Sequence, residues 1–161
     1  MLQRWVACVA VWSLCAGGAG AGDLGVGEAF PPYTLTDPFG VTNRLGSETR
    51  AVIISSEKNV SERVNAWLKT KPHGYLEAHR ADYVSDITPM PALITTLFAL
   101  PKMRKYPFRL LLAQDEAFAK TYPHRPGQIA LFLLDAGHVI TDLHFVDQPA
   151  QLEALLEQAA P

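Results

Sequence analysis

Near the C-terminal end, Gln128 to Leu134 (QIALFLL) places six apolar side chains in succession. A strand exposed on one face alternates apolar and polar residues; an unbroken apolar run of this length requires cover on both faces. The segment therefore predicts a central strand in a layered α/β structure. Two shorter runs, Ala51 to Ser55 (AVIIS) and Phe108 to Ala113 (FRLLLA), have the same character, and another strand is expected near Arg80 to Ser85. Between them lie segments with helical spacing. Ser56 to Lys71 carries Val60, Val64, Trp67 and Leu68, with Asn59 and Glu62 placed for a capping box. A second helix from Pro91 has an apolar face of Leu93, Ile94, Leu97, Phe98 and Leu100, kinked or ended by Pro101. Asp115 to Tyr122 forms a third, short helix.

The flanks of this pattern are hairpins. Tyr33 and Leu35 alternate with Thr34 and Thr36 before the turn residues Asp37-Pro38-Phe39-Gly40. Asp135-Ala136-Gly137 turns the chain into His138 to Val146, where Val139, Thr141, Leu143 and Phe145 alternate with His138, Ile140, Asp142 and His144. A final helix, Ala150 to Ala159, has Leu152, Leu155, Leu156 and Ala159 on one side. The predicted architecture is a mixed central sheet flanked by helices on both faces, extended by an N-terminal β-hairpin. With 161 residues and no internal repeat, one domain accounts for this body.

Residues 1–21 read differently. Arg4 precedes an uncharged apolar run from Trp5 to Ala16, and Ala19-Gly20-Ala21 supplies the small residues of a signal-peptidase site, so cleavage is expected before Gly22. A retained anchor is the alternative, but the run is short and dissolves into glycine. The organisation is then a signal peptide over 1–21 and a folded domain over 22–161, exported to the periplasm or secreted. Both cysteines, Cys8 and Cys15, lie in the segment to be removed. The mature chain would contain no thiol, which excludes disulfides and thiol chemistry alike. Removal of Arg4 takes the formal charge from −2 to −3, which argues against nucleic acid as a partner.

Gly27, Pro31, Leu35, Asp37, Gly40 and Leu45, followed by the Ala51 to Ser55 strand and the late strand-turn-strand Leu131 to Val139, together resemble the thioredoxin-like superfamily. The branch resembled is that of peroxiredoxins and exported thiol-disulfide reductases, over about residues 26–159. The resemblance implies a thioredoxin-like three-layer sandwich, with the redox motif at the tip of the first core strand. This chain has Ser55-Ser56-Glu57-Lys58-Asn59-Val60 there. A serine hydroxyl stays protonated near neutral pH and forms no disulfide, so no thiol-dependent oxidoreductase or peroxidase activity is expected. Ile129 stands where the resemblance implies the substrate-holding cis-proline.

Three groups of residues are candidate sites. Ser55, Ser56, Lys58, Asn59, Val60 and Ile129 would form a binding groove at the redox-motif position, where helix N-terminal amides attract carboxylates or extended peptide. Lys102, Arg104, Lys105 and Arg109 form a basic patch for an acidic partner or lipid headgroups. His138, Asp142 and His144, with imidazole and carboxylate groups on one strand face, are candidate ligands for zinc or copper(II). No G-x-G-x-x-G opens a helix and no G-x-S-x-G occurs, so neither a nucleotide cofactor nor hydrolase chemistry is indicated. The expected role is an accessory one in the cell envelope, docking a protein or peptide and using no cofactor. Membrane contact is expected only through the signal segment or weakly through the basic patch. The rival expectation is a metal-binding protein or metal-dependent enzyme. Oligomeric state is open.

Overall fold

A computed structural model describes residues 24–159; the expected signal peptide and its cleavage site lie outside the described residues. Among the described residues, seven strands form one sheet in the order β2-β1-β5-β4-β3-β6-β7. They are β1 (Thr34–Thr36), β2 (Thr42–Arg44), β3 (Ala51–Ser55), β4 (Ala81–Asp86), β5 (Leu111–Ala113), β6 (Ile129–Leu134) and β7 (Ile140–Val146). β3, β4 and β5 run parallel, while β6, β7 and the β1-β2 hairpin add antiparallel edges. The mixed sheet and the hairpin extension match the expected architecture.

One face packs against α1 (Lys58–Leu68), α2 (Tyr75–Ala78) and α6 (Pro149–Ala159), through Val60, Val64, Leu68, Leu76, Leu152 and Leu156. The other is covered by α5 (Glu116–Thr121), through Phe118, and by Phe30, Tyr33 and Tyr122. With apolar residues of β3, β4 and β6 pointing alternately into the two layers, the core is double.

Several expectations change. β6 is buried along its whole length, yet it is the second strand from one edge; β4 holds the centre. β4 reads ADYVSD and is also wholly buried, Asp82 and Ser85 being satisfied by partners from distant segments and Asp86 by the nearby Thr88 N–H. Asn59 and Glu62 make no capping box. The N-cap of α1 is Glu57, whose carboxylate instead accepts the Gly127 N–H at 2.8 Å, while Asn59 Oδ1 accepts the Val60 N–H.

The helix after Pro91 runs through Pro101 as α3 (Ala92–Ile94), a π-helical turn (Thr95–Ala99) and α4 (Leu100–Met103). Pro101 has no N–H for the carbonyl four residues before it, and its ring would crowd that carbonyl; a π turn widens the helix at this point. The apolar face exists, but only Leu100 packs against the core; Leu93, Ile94, Leu97 and Phe98 are largely exposed, with Ile94 and Phe98 also edging a cavity.

Candidate functional site

β3 ends at Ser55 and α1 begins three residues later. At this junction lies a buried hydroxyl network. Ser55 Oγ is 2.8 Å from Ser61 Oγ and 3.1 Å from the Tyr83 hydroxyl, and Ser61 Oγ is 2.9 Å from Ser85 Oγ. Ser61 projects from the first turn of α1 toward Tyr83 and Ser85 on the same face of β4. Burial raises the Tyr83 pKa, partly offset by its serine partners, so the phenol stays protonated. Every member is a neutral hydroxyl.

Above this floor opens a cavity of about 410 Å³. Ser61, Ser85 and Asn65 form its polar base, Lys58, Glu62 and Lys102 its rim, and Ile87, Met90, Ile94, Phe98, Met103 and Tyr106 its apolar wall. That volume lies within the range of small-ligand sites, which combine apolar walls with a few placed polar groups. Asn65 is 6% exposed, and its Oδ1 has no hydrogen-bond partner. A buried acceptor left unpaired is costly, so this atom is a ready partner for a donor entering the cavity.

The structure divides the expected groove. Ser56 and Lys58 line the cavity, and Ser55 lies buried in the hydroxyl network beneath it. Asn59 is exposed beside it without lining it. Val60 and Ile129 are corrections: both are fully buried in the core and present nothing to a ligand. They occupy the inward phase of α1 and β6, which an expectation based on motif position ignored. Among the described residues every peptide bond is trans, including that before Ile129. Ser61, Ser85 and Asn65 were missed. Ser61 and Asn65 had a signal, since they share the buried stripe of α1 with Val60, Val64 and Leu68.

The basic patch also separates. Lys102 joins the cavity rim and Lys105 is exposed. Arg104 Nε donates to the Pro38 carbonyl at 2.8 Å, fastening the β1-β2 turn to the end of α4. Arg109 pairs with Asp82, a carboxylate only 2% exposed that also accepts from the Tyr33 hydroxyl and, at 3.1 Å, from Thr49 Oγ1. Arg109 is thus committed to an ion pair within the chain, although its own side chain is half-exposed. Burial and the Asp82 charge raise the Tyr33 pKa, keeping that phenol a donor.

The expected metal set is not assembled. A register shift at Leu133/Leu134 puts a bulge in β7, so Ile140 joins the α5-side core while Asp142 and His144 face the other way. His138 sits in the preceding turn at φ 59°, with Nε2 3.0 Å from the Gly46 carbonyl. Asp142 Oδ1 and His144 Nε2 are 4.0 Å apart, and among the described residues no three His, Cys, Asp or Glu side chains form a metal-sized group. Strict alternation had placed all three on one face; the extra residue of a bulge breaks that phase.

No protein-family model matches the sequence, and neither does any curated protein. Solved structures do. Peroxidoxin BcpB from Mycobacterium tuberculosis superposes with a TM-score of 0.58 at 13% identity, covering 85% of this chain and 97% of that one. A putative thiol:disulfide interchange protein DsbE from Chlorobium tepidum gives 0.58 at 18% identity, over 85% and 96%. A thio-disulfide isomerase from Thermus thermophilus gives 0.51 at 22% identity, over 84% and 98%. The chain has the thioredoxin-like fold these proteins share.

Proposed function

We propose that this chain is an exported thioredoxin-like protein that works by binding, docking an extended peptide or protein segment in the cavity at the start of α1. The observation that carries this reading is Asn65 Oδ1, a buried and unpaired acceptor at the base of a cavity with an apolar wall. An extended peptide offers both complements, a backbone N–H for the amide oxygen and side chains for the wall. Thiol chemistry has no agent at this junction. From Ala16 onward the sequence contains no cysteine, and the hydroxyls at the redox-motif position bond to one another. Export is supported by the charged, apolar and small-residue order of residues 1–21.

The test is selection of random peptides from a display library on the purified protein, followed by affinity measurement of a selected peptide. Asn65→Ala is expected to weaken that peptide at least about tenfold, the loss of one hydrogen bond to a buried group, and Lys102→Ala, on the exposed rim, only a few-fold. No selected binder, or binders indifferent to both substitutions, would overturn the reading. Insulin reduction or peroxide consumption by the chain processed before Gly22 would overturn the non-redox part. Intact mass of the exported product should show that Cys8 and Cys15 are gone.

A further inference from the structure

We propose that the outer side of the α3–α4 segment, with the adjoining tip of the β1-β2 hairpin, docks on an anionic lipid surface. Leu93, Ile94, Leu97 and Phe98 are 68%, 45%, 56% and 66% exposed, at helical spacing on one side of a projecting segment. Thr95, Ala99, Leu100 and Met103 are partly buried on the other. Soluble proteins rarely leave so many large apolar side chains together in water, and such groups mark surfaces that are covered in use.

Charge selects the cover. From Ile87 to Gln114 the sequence contains no Asp or Glu but four cations. Arg109 is held by Asp82, which leaves Lys102, Arg104 and Lys105 at the C-terminal end of the apolar side. Through its Nε, Arg104 holds the Pro38 carbonyl, and the next residues of that turn, Phe39 and Val41, are 66% and 57% exposed. On the α3–α4 segment itself the apolar side chains are bordered by Lys and Arg with no acid among them, the composition of helices that lie in the headgroup region of anionic bilayers; the one acid of the hairpin tip, Asp37, is turned onto the Phe39 and Val41 N–H groups. Ile94, Phe98 and Lys102 border the proposed peptide cavity as well, whereas Leu93, Leu97, Lys105 and Phe39 do not line it, so substitutions at these last positions test the docking apart from the peptide site.

The experiment is co-sedimentation of the chain processed before Gly22 with vesicles of phosphatidylglycerol mixed into phosphatidylcholine, and with phosphatidylcholine alone. Binding is expected to the anionic vesicles, weakening as salt rises. Leu93→Ser with Leu97→Ser is expected to reduce it at least about tenfold, from lost apolar burial, and Lys105→Glu several-fold. Unchanged thermal melting of these variants confirms that the fold is intact. Failure of the wild type to bind anionic vesicles, or binding unaffected by the double substitution, overturns the proposal. So does a stable self-associated or peptide-bound state that the double substitution abolishes without any vesicle binding, which would make the ridge a protein interface.

Discussion

Ser55 Oγ and Ser61 Oγ lie 2.8 Å apart across the junction of β3 and α1, and that contact fixes how the first turn of the helix meets the sheet. Ser61 also bonds Ser85, so its hydroxyl links two strands. Ser61→Ala removes both partners at once inside the protein and is expected to destabilise it by about 1–2 kcal/mol, read from urea unfolding. Tyr83→Phe leaves Ser55 bonded to Ser61 and should cost less. A double-mutant cycle between positions 61 and 83 would report their coupling through Ser55.

Arg109 and Lys105 are neighbours in a cationic stretch with different work to do. Arg109→Met strands the buried Asp82 carboxylate with hydroxyl donors alone, and the expected loss is about 2 kcal/mol, reduced from the value of a wholly buried pair because the arginine is half-exposed. Lys105→Met should stay within about 0.5 kcal/mol. Equal effects on chemical denaturation would refute the Asp82 assignment.

The tyrosines set an alkaline limit. Burial raises the pKa of all five, and Tyr75 is pushed up to about 12 by burial and by Glu153 and Glu157. The unfolded chain releases these protons near pH 10, while the native protein holds them. Below about pH 10 both states are protonated and stability is unaffected. Above it the unfolded state binds fewer protons, so stability falls with rising pH until the native phenols also ionise. Phenolate absorbance should appear together with loss of native structure; a smooth titration of several tyrosines near pH 10 in folded protein would contradict the burial.

Gly127 carries φ 73°, and its N–H and C=O are taken by Glu57 and Arg63. A Cβ there meets no atom within 4 Å, so Gly127→Ala is expected to cost only the left-handed backbone strain, about 1–2 kcal/mol. A loss well beyond that, by thermal or urea unfolding, would show that this loop is packed more tightly than described.

The two-sided burial of Ile129–Leu134, the helical phase of Val60, Val64 and Leu68, and the flanking hairpins were legible because each is a local pattern of apolar spacing. Those patterns carried the layered α/β class; the thioredoxin-like resemblance rested on Gly27, Pro31, Leu35, Asp37, Gly40 and Leu45 with the strands that follow, and the position of the last cysteine in the sequence carried the argument against thiol chemistry. β4 was harder to rank, because Asp82 and Ser85 look exposed until Tyr33, Thr49, Arg109 and Ser61 arrive from distant parts of the chain to satisfy them. Tertiary structure alone decided that Ser61, Ser85 and Asn65 floor a cavity while Val60 and Ile129 sit in the core, that Arg109 leaves the basic patch, and that a bulge parts His138 from Asp142 and His144. It also turned Leu93, Leu97 and Phe98 outward. Periodicity records which side chains share a face; whether that face meets the core, a cavity or the solvent depends on what the rest of the chain places against it.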